Sequence, residues 1–398
     1  MLPAQSSRKS RLDIVDMLRG LIIVLMVLDH ARDYFNFHSL GFDPTDPATA
    51  PVATYFTRWI THLCAPTFLF LAGVGADLRR RNGAGLGDLS KFLVTRGLWL
   101  ILLEITIISF GFNFGTYLFL QVVCAIGLSM IGLSALVWLP RAWLVVLGGA
   151  FIAASPALAA VTAHAQGAWA FVRTFTLEPG LTPFVPGVVL YPALPWLGVM
   201  CLGYSLSGLF LYEGAQRRKA LALTGLILFV AFVVIRYINV FGDPSPWSAQ
   251  TNAMRTIMSF LNVNKYPPSL DYVLATLGIT LILASLLDRC TGIAKTVLTT
   301  YGRAPLFTYI VHIYILHGLQ LLLGMAMGYP AQIFTEFTKW SAIAAMQHLE
   351  VPIVKANWGF SLPVVYMLWI AILAMVYPLS RWFARYRANH SQWWLSYL

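Results

Sequence analysis

The sequence predicts an all-α polytopic membrane protein, a bundle of about ten transmembrane helices. Three observations carry that expectation. Of 398 residues, 58% are hydrophobic and only 11% are charged, where a soluble domain carries about 25% charged residues. Apolar runs close to the ~20 residues needed to cross a bilayer recur along the whole chain. Basic residues gather at alternate ends of those runs. The shortage of charge excludes a disordered chain, an ordinary cytosolic enzyme and a nucleic-acid-binding protein with a solvated basic face. No nucleic-acid partner is expected, and the net charge of +11 needs another reading.

The runs fall near 14–36, 52–76, 90–112, 116–138, 142–162, 188–212, 219–240, 270–287, 304–326 and 359–381, punctuated by Pro51, Pro140, Pro186, Pro267 and Pro268. The first contains Arg19 and lacks a small-residue cleavage site, so it reads as a retained span. With the N-terminus inside, the internal segments collect Arg79, Arg80, Arg81, Arg141, Arg217, Arg218, Arg303, Arg381, Arg385 and Arg387. The outer loops hold few cations, such as Arg173, Arg255 and Lys265. The surplus positive charge is thus mostly topology, with both termini cytosolic. The expected organisation is one transmembrane domain over 1–398, with cytosolic tails at 1–13 and 382–398, in the plasma (inner) membrane. Trp393, Trp394 and Tyr397 would anchor the C-terminal tail at the interface, and a homodimer is compatible with this plan. Cys64, Cys124, Cys201 and Cys290 have neither metal nor redox spacing and read as small apolar fillers.

Ionisable residues inside spans cost about 2.5–3.5 kcal/mol each, so each needs a reason. They concentrate in the first two spans. Asp29 and Asp33 are one helical turn apart, His30 neighbours Asp33 at i,i+3, and Arg58 and His62 are again four apart. Such an Asp/His/Asp face opposite an Arg/His face supplies what a general base requires, an imidazole beside a carboxylate. A buried ion-pair seam is the competing structural explanation. His38 and Asp46 follow on the outer side, in a segment whose Asp-Pro pattern turn chemistry alone explains. No spacing specifies a metal, and none is expected. His312 sits near mid-depth of the ninth span, His317 points elsewhere, and Lys265 and Tyr266 belong to a polar outer segment that could roof a cavity. Arg79, Arg80 and Arg81 beside Gly83, Gly85 and Gly87 join fixed charge to a glycine loop, which suits phosphate and equally suits a positive-inside turn.

From Asp16-Met17-Leu18-Arg19-Gly20-Leu21 through Leu28-Asp29-His30, the chain resembles the heparan-α-glucosaminide N-acetyltransferase catalytic-domain family of transmembrane acyltransferases, on its uncharacterised bacterial branch. Further blocks are Thr57-Arg58-Trp59-Ile60-Thr61-His62, Tyr191 to Trp196, Lys265 to Ser269, and Gly302-Arg303-Ala304-Pro305. The resemblance implies about ten core helices and transfer of an acetyl or other acyl group from cytosolic acetyl-CoA or acyl-CoA. The acceptor would be a sugar-like or small polar molecule, or a glycan, on the outer side. The family's helix-end asparagine falls on His30 and its catalytic histidine has an approximate counterpart in His38, so the base is His30 or His38. The expected roles are His30 as base oriented by Asp29 and Asp33, and His62 or Arg58 steadying the oxyanion. The CoA phosphates would lie near Arg19, Arg79, Arg80, Arg81, Arg96 or Arg303, and the acceptor near Asp46, Lys265, Tyr266 and His312. The alternative is a proton-coupled transporter or channel that uses the same Asp/His face.

Overall fold

In the computed structural model the described residues are 12–37, 43–182, 185–335, 339, 352–390, 392 and 395. Every one of the ten apolar runs holds helix. Eight are long and apolar enough to cross a membrane. Of the other two, α1 (Asp13–Phe35) is long but carries Asp and Arg near both ends, and the helix Val122–Leu136 is short. The chain is a multi-pass, all-α membrane protein.

Five boundaries differ from expectation. The second run is two helices, α2 (Val52–Thr61) and α3 (Cys64–Arg81), separated at His62 and Leu63. Pro66, which has no amide to donate, sits in the first turn of α3. The third run is α4 (Leu86–Leu103), a π-helical turn at Glu104–Ile108, and α5 (Ser109–Asn113). The fourth begins as a strand, β1 (Leu118–Leu120), before α6 (Val122–Leu136). After α7 (Arg141–Val161), α8 (Ala168–Thr176), β2 (Gly180–Leu181) and β3 (Gly187–Val189) comes α9 (Ala193–Leu206), which starts five residues later than its run. The last helix, Leu362–Asn389, continues past residue 381 into the segment expected as a tail. Backbone hydrogen bonding does not stop at the hydrophobic boundary, and the helix runs on past Pro378 to Asn389. Trp393, Trp394 and Tyr397 lie outside the described residues.

The three short strands form one sheet in the order β1-β3-β2, with β1 parallel to β3 (Leu118 opposite Gly187) and β2 antiparallel to it. The sheet and a buried carboxylate satisfy the freed end of α6. Glu104 Oε1 accepts from the Gln121 amide at 2.9 Å and Oε2 from the Cys124 amide at 3.1 Å. A carboxylate at a helix N-terminus satisfies amides that lipid could not.

The remaining helices are α10 (Gly214–Ile238), α11 (Ala253–Leu261), α12 (Leu270–Leu287), α13 (Gly292–Arg303) and α14 (Pro305–Ala326). The central α1 packs against α2, α3, α12, α13, α14 and the C-terminal helix. Small residues allow the closest of these contacts, as membrane packing requires. A Cβ on Gly20 would lie 1.9 Å from the Leu298 carbonyl oxygen, and one on Gly302 would lie 1.8 Å from that of Asp16. Buried charge ties the ends. Asp77 accepts from Arg81, Arg141 and Ser207, and Arg236 is enclosed by the carbonyls of Ser245, Ser259, Phe260 and Asn262.

Candidate active site

A cavity of about 460 Å³ opens at the basic end of the bundle. Its walls are helical stripes. On α1, Arg19, Ile23 and Met26 face it at i, i+4 and i+7, and His30 continues the same stripe one turn further. On α3 the stripe runs Phe68, Leu71, Ala72, Gly75, Ala76 and Arg79; α4 gives Leu93, Arg96 and Leu100, and α6 gives Val122, Val123, Ile126 and Met130. Arginine therefore rims the mouth while the interior is apolar. The eleven helical steps from Arg79 to Phe68 make it roughly 16 Å deep at 1.5 Å per residue. Its lining stops at Met26, Phe68, Val122 and Tyr309.

The rim arginines are held, not loose. Arg19 donates to Asp16 at 3.2 Å and to the Gly302 carbonyl at 3.3 Å, and Arg303 pairs with Asp13 and Asp16 at 3.4 and 3.6 Å. Arg79 lies 4.0 Å over the Phe92 ring, and Arg387 completes the rim. Of the expected arginine run, Arg79 faces the cavity and Arg81 a wider vestibule of about 1330 Å³ outside it, whereas Arg80 turns away to the Tyr204 hydroxyl at 3.2 Å.

Beyond the closed end lies a histidine pair. His30 Nδ1 and His312 Nε2 are 2.8 Å apart, and His312 Nδ1 is 2.9 Å from the Thr308 carbonyl oxygen. A carbonyl only accepts, so His312 carries its proton on Nδ1. With both rings neutral, His312 Nε2 accepts from His30 Nδ1–H, and the lone pair of His30 is placed on Nε2. Tyr309 packs between this pair and the cavity, its ring centroid 6.0 Å from His30 and 5.6 Å from His312. Phe112 meets His30 edge-on at 5.4 Å.

The partner of His30 Nδ1 is His312, and Asp29 is engaged elsewhere. Asp29, on the neighbouring face of α1, accepts from Arg58 Nη1 at 2.9 Å on both oxygens and from Thr61 at 2.7 Å, and it pairs with Arg32 at 2.9 Å. Asp33 pairs with Arg32 at 2.5 Å. Asp29 is engaged by two arginines and Thr61, and the ring contact of His30 Nδ1 is made by His312. Near this cluster, Lys265 Nζ sits 5.0 Å from the Tyr266 ring and 5.7 Å from that of Tyr191, whose hydroxyls are 3.2 Å apart. His62 is buried, its carbonyl accepts from Tyr272 at 2.8 Å, and its Nδ1 has no hydrogen-bond partner among the described residues.

A family model described as heparan-alpha-glucosaminide N-acetyltransferase, catalytic, matches residues 11–239. The chain belongs to this family. No curated protein matches it. The matched segment covers α1 to α10, and with them Arg19, Arg79, Arg96, Asp29, His30 and Arg58; Arg303, His312, Lys265 and Tyr266 lie beyond it. Membership supports a membrane acetyltransferase and lends nothing to the transporter reading.

Among the other expected residues of this family member, His38 lies outside the described residues. Asp46 folds onto its own turn: hydrogen bonds from the Thr49 hydroxyl and the Ala48 amide hold its carboxyl below the usual range. It is a local cap on the described geometry. The ring nitrogens of His317 each lie 2.8 Å from a backbone carbonyl, Nδ1 from that of Gly111 and Nε2 from that of Phe334, and its one N–H donates to one of them. Sequence reasoning gave no role to Tyr309, Glu104 or Arg387. Glu104 was the detectable one, a carboxylate alone in an apolar run. A second signal was the repeated Arg-Gly-Leu at 19–21 and 96–98. In both copies the arginine lines the mouth and the glycine meets a partner backbone, Leu298 for Gly20 and Gly127 for Gly97.

Proposed function

We propose that this protein is a membrane acyltransferase that moves an acetyl or other short acyl group from cytosolic acyl-CoA to a sugar-like or small polar acceptor on the opposite side. One observation carries the reading: an arginine-rimmed apolar cavity whose α1 stripe ends, one turn past the last lining residue, on a histidine with an assigned lone pair. Fixed guanidinium groups suit the CoA phosphates, and the slender apolar interior suits the arm that carries the thioester. The concentration of basic residues at the mouth supports a cytosolic donor entrance.

In this mechanism the acceptor approaches from the end bearing Asp29, Arg58, Lys265 and Tyr266. His30 Nε2 takes the proton from its hydroxyl or amine as the heteroatom attacks the thioester carbon. The C–S bond breaks, and the proton on His30 passes to the departing thiolate. His312 holds the ring in the competent tautomer. The Asp29–Arg58 pair fixes α2 against α1, which sets the acceptor side of the site, and Lys265 and Tyr266 line that side.

The test uses the detergent-solubilised protein with labelled acetyl-CoA and a panel of amino-sugar and polyol acceptors. Acyl transfer or slow acetyl-CoA hydrolysis is expected, and it should vanish in His30→Ala while donor binding persists. A folded parent that neither binds nor turns over acetyl-CoA would overturn the reading. Full turnover by His30→Ala would remove His30 from it.

A further inference from the structure

We infer that Tyr309 is a catalytic residue of this site, the hydrogen-bond donor that receives the negative charge developing on the thioester carbonyl oxygen. The inference rests on the acyltransferase reading and deepens it. Tyr309 is 4% exposed and forms the end wall of the donor cavity. Its hydroxyl is buried and has no hydrogen-bond partner among the described residues, an arrangement that buried phenols normally avoid. The neighbouring tyrosines show the contrast: Tyr34, Tyr55, Tyr272, Tyr301 and Tyr314 each donate to a backbone carbonyl. Tyr309 lines the apolar cavity while its O–H is buried behind that lining, a donor with no acceptor among the described residues that can turn to a ligand oxygen reaching this wall.

The position fits the chemistry. Tyr309 stands one turn before His312 on α14, and its ring touches both members of the histidine pair. A thioester carried down the cavity meets Tyr309 before it meets His30. As the acceptor heteroatom bonds to the carbonyl carbon, the π electrons move onto oxygen and Tyr309 O–H donates to it. As the C–S bond breaks, those electrons return to the carbonyl, and Tyr309 keeps its proton throughout. His30 handles the acceptor's proton and Tyr309 the oxygen's charge, so the two residues divide the reaction. His62 and Arg58, the groups expected for the second role, do not line this cavity.

Tyr309→Phe removes one oxygen and retains the ring that packs on His30 and His312. Its kcat should fall by about 10²-fold or more, the usual effect of deleting one oxyanion donor, while the KM for acetyl-CoA stays within about threefold, an allowance well inside one 1.4 kcal/mol decade. Infrared spectra of bound acetyl-CoA labelled at the carbonyl carbon should show a lowered C=O stretch in the parent and a smaller shift in the variant, a difference that loss of packing alone does not produce. S-ethyl-CoA, which keeps the chain but lacks the carbonyl oxygen, should bind both proteins equally. An active parent with equal kcat and an equal carbonyl stretch in Tyr309→Phe overturns the assignment alone. A parent that transfers nothing from acetyl-CoA overturns the assignment together with the reading beneath it.

Discussion

His30 and His312 stand 282 positions apart in the chain, yet their rings lie within 5° of parallel and share one hydrogen bond of 2.8 Å. The bond links α1 to α14 at the depth where the donor cavity ends. It also fixes which nitrogen of a neutral His30 keeps its lone pair, because the Thr308 carbonyl dictates the proton on His312 and His312 dictates the proton on His30.

His312→Ala should therefore lower kcat about tenfold or more without weakening donor binding, since general-base catalysis is worth about 10²–10⁴-fold and depends on the correct tautomer. Steady-state kinetics with labelled acetyl-CoA separate the two parameters. A rise in KM at unchanged kcat would instead make His312 a binding residue.

The rim predicts a pattern among arginines. Arg19→Gln, Arg79→Gln and Arg96→Gln should each weaken acetyl-CoA binding by about tenfold, the value of one charge-assisted hydrogen bond, and the loss should shrink for dephospho-CoA. Arg80→Gln should leave affinity unchanged because Arg80 is engaged with Tyr204. Isothermal titration of the four variants checks the pattern, and equal losses at all four would refute the cavity as the donor site.

Gly302→Ala pushes a methyl group into the Asp16 carbonyl at 1.8 Å. Overpacking of this kind costs about 1–3 kcal/mol or more, so thermal unfolding in detergent should begin at lower temperature. Donor affinity should fall as well, because Arg19 is hydrogen-bonded to the Gly302 carbonyl. Gly318→Ala, with nothing within 4 Å of its new Cβ, is the neutral control.

Arg236 donates to four carbonyls, two at the end of α11 and two in the segments beside it, and lies 3.8 and 3.9 Å from Asp243 and Asp271. Arg236→Met should cost on the order of 3–5 kcal/mol, because it strands two buried carboxylates and the carbonyls together. Limited proteolysis should then cut the segment around 243–264, and transfer should weaken because that segment carries the chain into Lys265 and Tyr266.

The bundle was legible in the sequence because lipid imposes length and apolarity on each span separately, and every run needs its own ~20 residues. The Arg58–Asp29 contact was legible for a related reason: two charges placed in adjacent apolar runs must meet or stay expensive. His312 as the partner of His30 was not legible, since nothing local in α14 says which of thirteen earlier helices it faces. Nor was the strand at Leu118–Leu120. Its apolar composition suits a span, and only Glu104, seventeen residues from Gln121, removes the need for helix there. Tyr309 escaped for the opposite reason, because an aromatic in an apolar run looks like packing until its hydroxyl is found without a partner.

The described lining of the cavity stops at a wall of rings, with Tyr309 against His30 and His312. An acyl group that changed sides here would cross little more than the thickness of those rings, so the bulk of its carrier would never have to leave the leaflet it entered from.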